Sequence, residues 1–203
     1  MCSVHTHITT TSVALPYVRE QWPQVVVCGA EHGKQVFQRP GARRLMKKLG
    51  DVAEIAYGSG DTDKVKTDGL AITRVIGEGD VIDLGSRSII VMEARGHTDC
   101  SLAFKIEPEH ILISSETTGV LFGRGRAHTA TLKSHEGVIR TIHKCRAYRP
   151  KMVICPHYGV MPGDYIDEYW DLIENIANEE KEFIEGMWKK GSQSGRNAAG
   201  DDG

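Results

Sequence analysis

Apolar residues in this chain fall into short runs broken by glycine, proline and charge. Val25-Val26-Val27-Cys28 and Met152-Val153-Ile154-Cys155 are continuous, the pattern of strands covered on both faces. Residues 72–76, 81–84 and 88–92 follow one another across Gly-Glu-Gly-Asp and Gly-Ser-Arg, which predicts strands joined by hairpin turns. Residues 102–106 and 111–114 predict two more, across Pro108-Glu109-His110. Between these lie segments of helical period. Residues 13–22 predict a short helix with Val13, Tyr17 and Val18 inward, ended by Pro23, and 31–36 and 41–49 predict helical pieces around Pro40. Residues 51–68, punctuated by Gly and Asp, predict a connecting loop with a little local helix. Residues 134–148 carry Val138, Ile139, Ile142 and Cys145 at helical spacing, stopped by Arg149-Pro150. The longest helix is expected over 164–190. Its inward stripe is Ile166, Tyr169, Trp170, Ile173, Ala177, Glu180, Ile184 and Met187, interrupted once by Glu180. Helix and strand alternate, so the class is α/β. One domain is expected over 1–190, with a disordered tail over 191–203 of Gly, Ser, Asn and Asp.

Composition narrows the function classes. A formal charge of −2 over 203 residues gives no basic footprint for nucleic acid, and no apolar stretch approaches the ~18 residues of a membrane span. Arg43-Arg44 with Lys47-Lys48, and Arg124 with Arg126, read as solvated surface. Cys2, Cys28, Cys100, Cys145 and Cys155 are odd in number and contain no C-x-x-C pair. That argues against a disulfide framework and for reduced thiols in the cytoplasm. No charged-then-apolar leader is visible at the start. The expected partner is a small-molecule substrate, with no nucleic acid and no membrane.

Three histidine sites carry the candidate chemistry. His5-Thr6-His7 opens the chain, His97 sits in Arg95-Gly96-His97-Thr98-Asp99-Cys100-Ser101 between two apolar runs, and His157 follows a buried run in Pro156-His157-Tyr158-Gly159. An i, i+2 pair on a strand presents both rings on one face. A histidine just past a strand sits on the rim of a sheet. Each motif alone is better explained by chance or a half-exposed rim histidine; together they describe imidazoles converging on a metal. His32, His110, His128, His135 and His143 have no partner pattern and are read as surface. Gly123-Arg124-Gly125-Arg126 is not a phosphate loop, since no Lys-Ser/Thr follows, but it could line the cleft mouth and meet an anionic substrate. Cys100 lacks the base and orienting group a nucleophile needs.

The order His-x-His, Gly-His-Thr-x-x-Ser, Ser-Glu-Thr, Pro-His-Tyr-Gly resembles the metallo-β-lactamase superfamily, over roughly His5 to the last helix. The resemblance implies an αββα sandwich with a metal cleft at one edge of two facing sheets. It implies His5, His7 and His97 as ligands of the first metal and His157 as a ligand of the second, with Glu116 where an aspartate usually bridges both. The departures are specific. Thr9 and Thr10 replace the Asp and His of His-x-His-x-Asp-His, and a hydroxyl is a poor zinc ligand. Asp99-Cys100 stands where Pro-Gly is common, and the family's opening strands are not expected in this chain.

Counting ligands leaves at most one well-held metal, zinc or else iron, at His5, His7 and His97, the second site keeping only Glu116 and His157. Three histidines and a water make an open catalytic site whose metal-bound hydroxide is available near neutral pH. Glu116 or His157 is then the group that orients the water, and Tyr158 is either the donor to a developing oxyanion or, more commonly for such a residue, a packing group. The expected activity is hydrolysis of an ester, thioester, lactone or similar bond. The competing reading is a catalytically impaired or non-catalytic binding module of the same fold with a degraded second site. A third reading is a piece of a longer hydrolase, whose exposed sheet edges and apolar surface predict aggregation or a homodimer.

Overall fold

The computed structural model describes residues 2–3 and 14–198, with side chains for 14–190. Its first sheet is three parallel strands, β1 (Cys2–Ser3), β2 (Val27–Gly29) and β3 (Arg74–Val75), in that spatial order. Three helices lie with it: α1 (Leu15–Gln21), α2 (Glu31–Gln38) and α3 (Pro40–Tyr57). The second sheet is built from β4 (Val81–Asp83), β5 (Ser88–Glu93), β6 (Leu102–Glu107), β7 (Ile111–Ile113), β10 (Met152–Cys155) and β11 (Gly159–Val160). Its order is β11-β10-β7-β6-β5-β4, antiparallel throughout except for the parallel β7–β10 pair. That pair needs a crossover, and α4 (His135–Ala147) supplies it. A separate hairpin, β8 (Val120–Gly123) with β9 (Arg126–His128), precedes α4, and α5 (Ile166–Ala198) closes the chain.

Side-chain alternation sorts these elements into four layers. On β2, Val27 turns outward to Leu15, Phe37 and Met46, and Cys28 turns inward. On β5 and β6, Val91, Leu102 and Phe104 face Cys28 and Ile76 across the gap between the sheets. Met92 and Ala103 point the other way, into Val138, Ile142, Trp170 and Ile173 of α4 and α5. The result is the expected αββα sandwich. Each large aliphatic or aromatic side chain buried in these layers contributes roughly 1.5–3 kcal/mol. No helix among the described residues is long and apolar enough to cross a membrane.

Several expectations change. The helix after Pro40 runs on to Tyr57, through residues read as loop. Gly50 is buried inside it rather than ending it, and Glu54 closes its C-terminus by accepting from Ser59 N and Oγ at 2.8 and 2.7 Å. β3 makes no hairpin with β4. Thr73 N donates to Val27 O (2.9 Å), binding this segment to the first sheet, and the Gly77–Asp80 turn carries the chain across to the second. Tyr17 is exposed, and Leu15 fills the inward position. The hairpin β8–β9 was not anticipated; its turn is the Gly123–Arg126 segment. On α5 the buried stripe ends at Ala177, and Ile184 and Met187 are exposed because the helix has run past the body of the sandwich. Of the expected tail, residues 191–198 continue this helix and 199–203 lie outside the described residues.

Candidate metal centre

The residues at the C-terminal edge of β5 are held by a dense set of short bonds. Ala94 N donates to Ser101 O (2.9 Å), and Thr98 Oγ1 lies 2.7 Å from Ser101 Oγ, closing the turn that carries His97. Gly96 has φ +144°, and a Cβ there would stand 2.6 Å from Val138 N. Only glycine lets the turn sit this close to α4. Lys133 N and Ser134 N both donate to Gly96 O, and Thr141 Oγ1 to Arg95 O (2.9 Å).

β7 delivers the acid. Past Ser114, whose N donates to Ile154 O, the chain makes a single tight helical turn over Glu116–Thr118, capped by Ser115 Oγ accepting from Thr117 N. Thr117 Oγ1 donates to Ala94 O (2.5 Å) and accepts from His97 N (3.3 Å), stitching the acid's turn to the histidine's. Glu116 is buried, at 5 % exposure. Its Oε2 lies 3.1 Å from His97 Nε2 and its Oε1 lies 2.8 Å from His157 Nε2. His157 reaches it from the loop after β10, with φ +64°, a backbone state uncommon outside glycine. Strand ends thus bring three of the five sequence-predicted metal residues together. His5 and His7, with Thr9 and Thr10, lie outside the described residues.

Charge decides what this cluster can hold. His97 Nδ1 stands 2.6 Å from Ala130 O, and a carbonyl only accepts, so Nδ1 carries the proton. Neutral His97 therefore turns the lone pair of Nε2 toward a carboxylate oxygen. Two acceptors at 3.1 Å demand a cation between them, a proton or a metal ion. Glu116 accordingly raises the His97 pKa against the opposing effect of burial, and the Ala130 bond adds to the rise. Metal-ligating histidines commonly donate their second ring nitrogen to a carbonyl in this way. The donor set, two imidazoles and one carboxylate, fits zinc or iron chemically. The described donors stand at hydrogen-bond spacing, and among the described residues no group of three or more His, Cys, Asp or Glu side chains is placed so that it could hold a metal ion.

The other candidates separate cleanly. Tyr158 is 40 % exposed, on the loop beside His157. Arg124 pairs with Asp164 (2.9 Å) and lies over the Tyr165 ring, so its charge is committed to the start of α5. Cys100 is buried, and burial pushes its thiol pKa up, which suits packing rather than attack. Thr117 and Ala130 were not anticipated. Thr117 had no pattern beyond adjacency to Glu116, and a backbone carbonyl such as Ala130 O leaves no trace in sequence. A cavity of about 180 Å³ opens beside the His97 turn, lined by Ala30 and Ile76 from the first sheet and Glu93, Arg95 and Asp99 from the second.

No protein-family model matches the sequence, and no curated protein does. Solved structures do match. An archaeal metallo-β-lactamase superfamily protein from Sulfolobus tokodaii aligns at 16 % identity and TM-score 0.57, covering 78 % of this chain and 61 % of its own. The flavodiiron core of Synechocystis aligns at 13 % identity and TM-score 0.56, over 88 % of this chain and 42 % of its own. The BLEG-1 B3 metallo-β-lactamase aligns at 17 % identity and TM-score 0.54, over 81 % and 71 %. This chain has the metallo-β-lactamase fold, and it spans less than two thirds of the length of the first two.

Proposed function

We propose that this metallo-β-lactamase-fold chain is a metal-dependent hydrolase of small substrates carrying an ester, thioester, lactone or similar bond. The metal, zinc or alternatively iron, would be held by His5, His7 and His97, with Glu116 and His157 beside it. The observation that carries this reading is the meeting of His97 and His157 on the two oxygens of one buried carboxylate, at the edge where the sheets face. The register of β1 supports it: Ser3 pairs with Cys28, which stands just before the cleft-lining Ala30, and His5 follows Ser3 closely in sequence. Free Cys28, Cys100, Cys145 and Cys155 support a reducing, cytoplasmic setting.

When bound, the metal supplies a water acidified to a pKa of about 7 and polarises the substrate carbonyl. The chain's own groups do the rest. Ala130 O holds the proton on Nδ1 of His97, so the lone pair that would ligate is the one on Nε2, which faces Glu116. Glu116 accepts a hydrogen bond from the attacking water and orients it. Burial of Glu116 and His97 keeps bulk water from both. Tyr158, on the exposed loop beside His157, donates to charge developing on the substrate oxygen.

The second reading, a non-catalytic binding module, is favoured by Thr9 and Thr10, which stand where the family's Asp and His ligands would be. One experiment separates the two. Elemental analysis of protein purified without chelator, then loaded with zinc or iron, should give about one equivalent, with hydrolysis of an ester, thioester and lactone panel abolished by His97→Ala. Less than about 0.2 equivalents after loading removes the hydrolase and leaves the binding module.

A further inference from the structure

We propose that Glu180 is a positioning residue for His97, acting through Thr129 and the carbonyl of Ala130. The importance of this relay for ligation rests on the metal-site reading above; its effect on the His97 ring does not.

Glu180 is the one charged residue in the inward stripe of α5, between Ala177 and the exposed turn that carries Ile184. An acid at such a position costs desolvation unless something receives it. Its Oε2 accepts from Thr129 Oγ1, and Thr129 is buried at 8 % exposure. The next residue, Ala130, accepts the Nδ1 proton of His97 at 2.6 Å. Three residues further on, Lys133 N and Ser134 N donate to Gly96 O at 3.0 and 3.2 Å, tying the other end of the same segment to the residue before His97. Residues 129–134 therefore form a strap across the His97 turn. One end is fixed by α4 and the turn itself, and the other by α5 through Glu180.

Close packing makes the α5 anchor specific. A Cβ on Gly119 would stand 2.2 Å from Ile173 Cδ1 and 3.0 Å from His128 O, so α5 and the residue before Thr129 close on the same glycine. The charged acceptor makes the Thr129 bond stronger than a neutral one would be. With that anchor cut, the Ala130 carbonyl loses its fixed place. His97 is then free to move its proton to Nε2 and donate to Glu116. That tautomer has no lone pair at the atom that would ligate.

The test uses full-length protein labelled with nitrogen-15 at histidine. Long-range proton–nitrogen correlation spectra of metal-free samples, at alkaline pH where His97 is neutral, report which ring nitrogen bears hydrogen. Wild type and Glu180→Gln, which keeps an acceptor for Thr129, should both show His97 protonated at Nδ1. Glu180→Leu and Thr129→Val should shift His97 toward the Nε2–H form, and Thr129→Ser should restore the wild-type spectrum. Zinc affinity should fall on the order of tenfold in Glu180→Leu and Thr129→Val and stay unchanged in Glu180→Gln. Thr129→Val exchanges the hydroxyl for a methyl of similar size and keeps the test decisive if Glu180→Leu does not fold. An unaltered His97 tautomer in Thr129→Val overturns the inference. If wild type binds no zinc, the hydrolase reading falls, while the tautomer series still decides the role of Glu180.

Discussion

Gly96→Ala asks whether the His97 turn is fixed by contact with α4 or by its own hydrogen bonds. A methyl at residue 96 would stand 2.6 Å from Val138 N and 2.8 Å from both Thr117 Cγ2 and Val138 Cγ2. The first of these is helix backbone and cannot rotate aside. Relieving it means moving the turn or α4, at the ~1–3 kcal/mol usual for overpacking. The φ of +144° adds strain of about 1–3 kcal/mol for a residue with a side chain. The sum, about 2–6 kcal/mol, is a large part of the roughly 5–15 kcal/mol that holds a domain folded. Gly79→Ala is the matched control: φ is +81° and nothing lies within 4 Å of the new methyl, so only the backbone strain remains. Urea unfolding followed by circular dichroism should show Gly96→Ala losing at least ~1 kcal/mol more than Gly79→Ala, with similar denaturant slopes. Equal losses would refute the contact argument, and with it the view that α4 sets the height of His97 over Glu116.

Two further outcomes follow from burial and charge. In metal-free protein the raised His97 pKa stabilises the fold fully below the unfolded value of 6.5 and loses that contribution as pH rises through the folded value. Urea midpoints between about pH 6 and about pH 9 should therefore fall for wild type and fall less for Glu116→Gln; parallel slopes would remove the His97–Glu116 pair as their cause. Trp170 and Trp188 share α5 but are 1 % and 77 % exposed. Trp170→Ala should cost ~3–5 kcal/mol and Trp188→Ala no more than ~0.5 kcal/mol, so a large loss at Trp188 would mean that the outer half of the helix is covered.

What could be read from the sequence was whatever local chemistry determines. The continuous runs at 25–28 and 152–155 marked two strands, β2 and β10, although neither run is covered on both faces throughout, since Val26 and Met152 are exposed. Gly96 before His97 marked a turn from its place after an apolar run; the close approach to Val138 that requires glycine there comes from the fold. Misreadings came where a distant partner overrode a local signal. The turn at Gly77–Asp80 looks like a hairpin, yet Thr73 pairs with Val27, far back in sequence, and the strand joins the other sheet. The apolar period of α5 continues to Met187 although the body it would pack on has ended. Within the site, histidines and the acid were legible as residue types, whereas Ala130 acts through a carbonyl that every residue has.

The cluster itself sets one constraint on any function it serves. With the Nδ1 proton of His97 committed to Ala130, Nε2 and the carboxylate of Glu116 can share either a proton or a metal ion, and not both. On the proposed reading, the ion pair of the metal-free protein and the metal-loaded site are then alternative uses of His97 Nε2 and the Glu116 carboxylate. Whatever strengthens the pair, by raising the His97 pKa, weakens metal binding at a given pH, because loading must first remove that proton. The balance is set by how firmly the imidazole is held in the right tautomer and how deeply Glu116 is buried. Both are properties of the scaffold, through Thr117, Ala130 and the packing of α4. Substitutions that touch none of the three side chains, at Gly96 in the His97 turn or at Thr129 beside Ala130, are therefore expected to change the chemistry of the cluster.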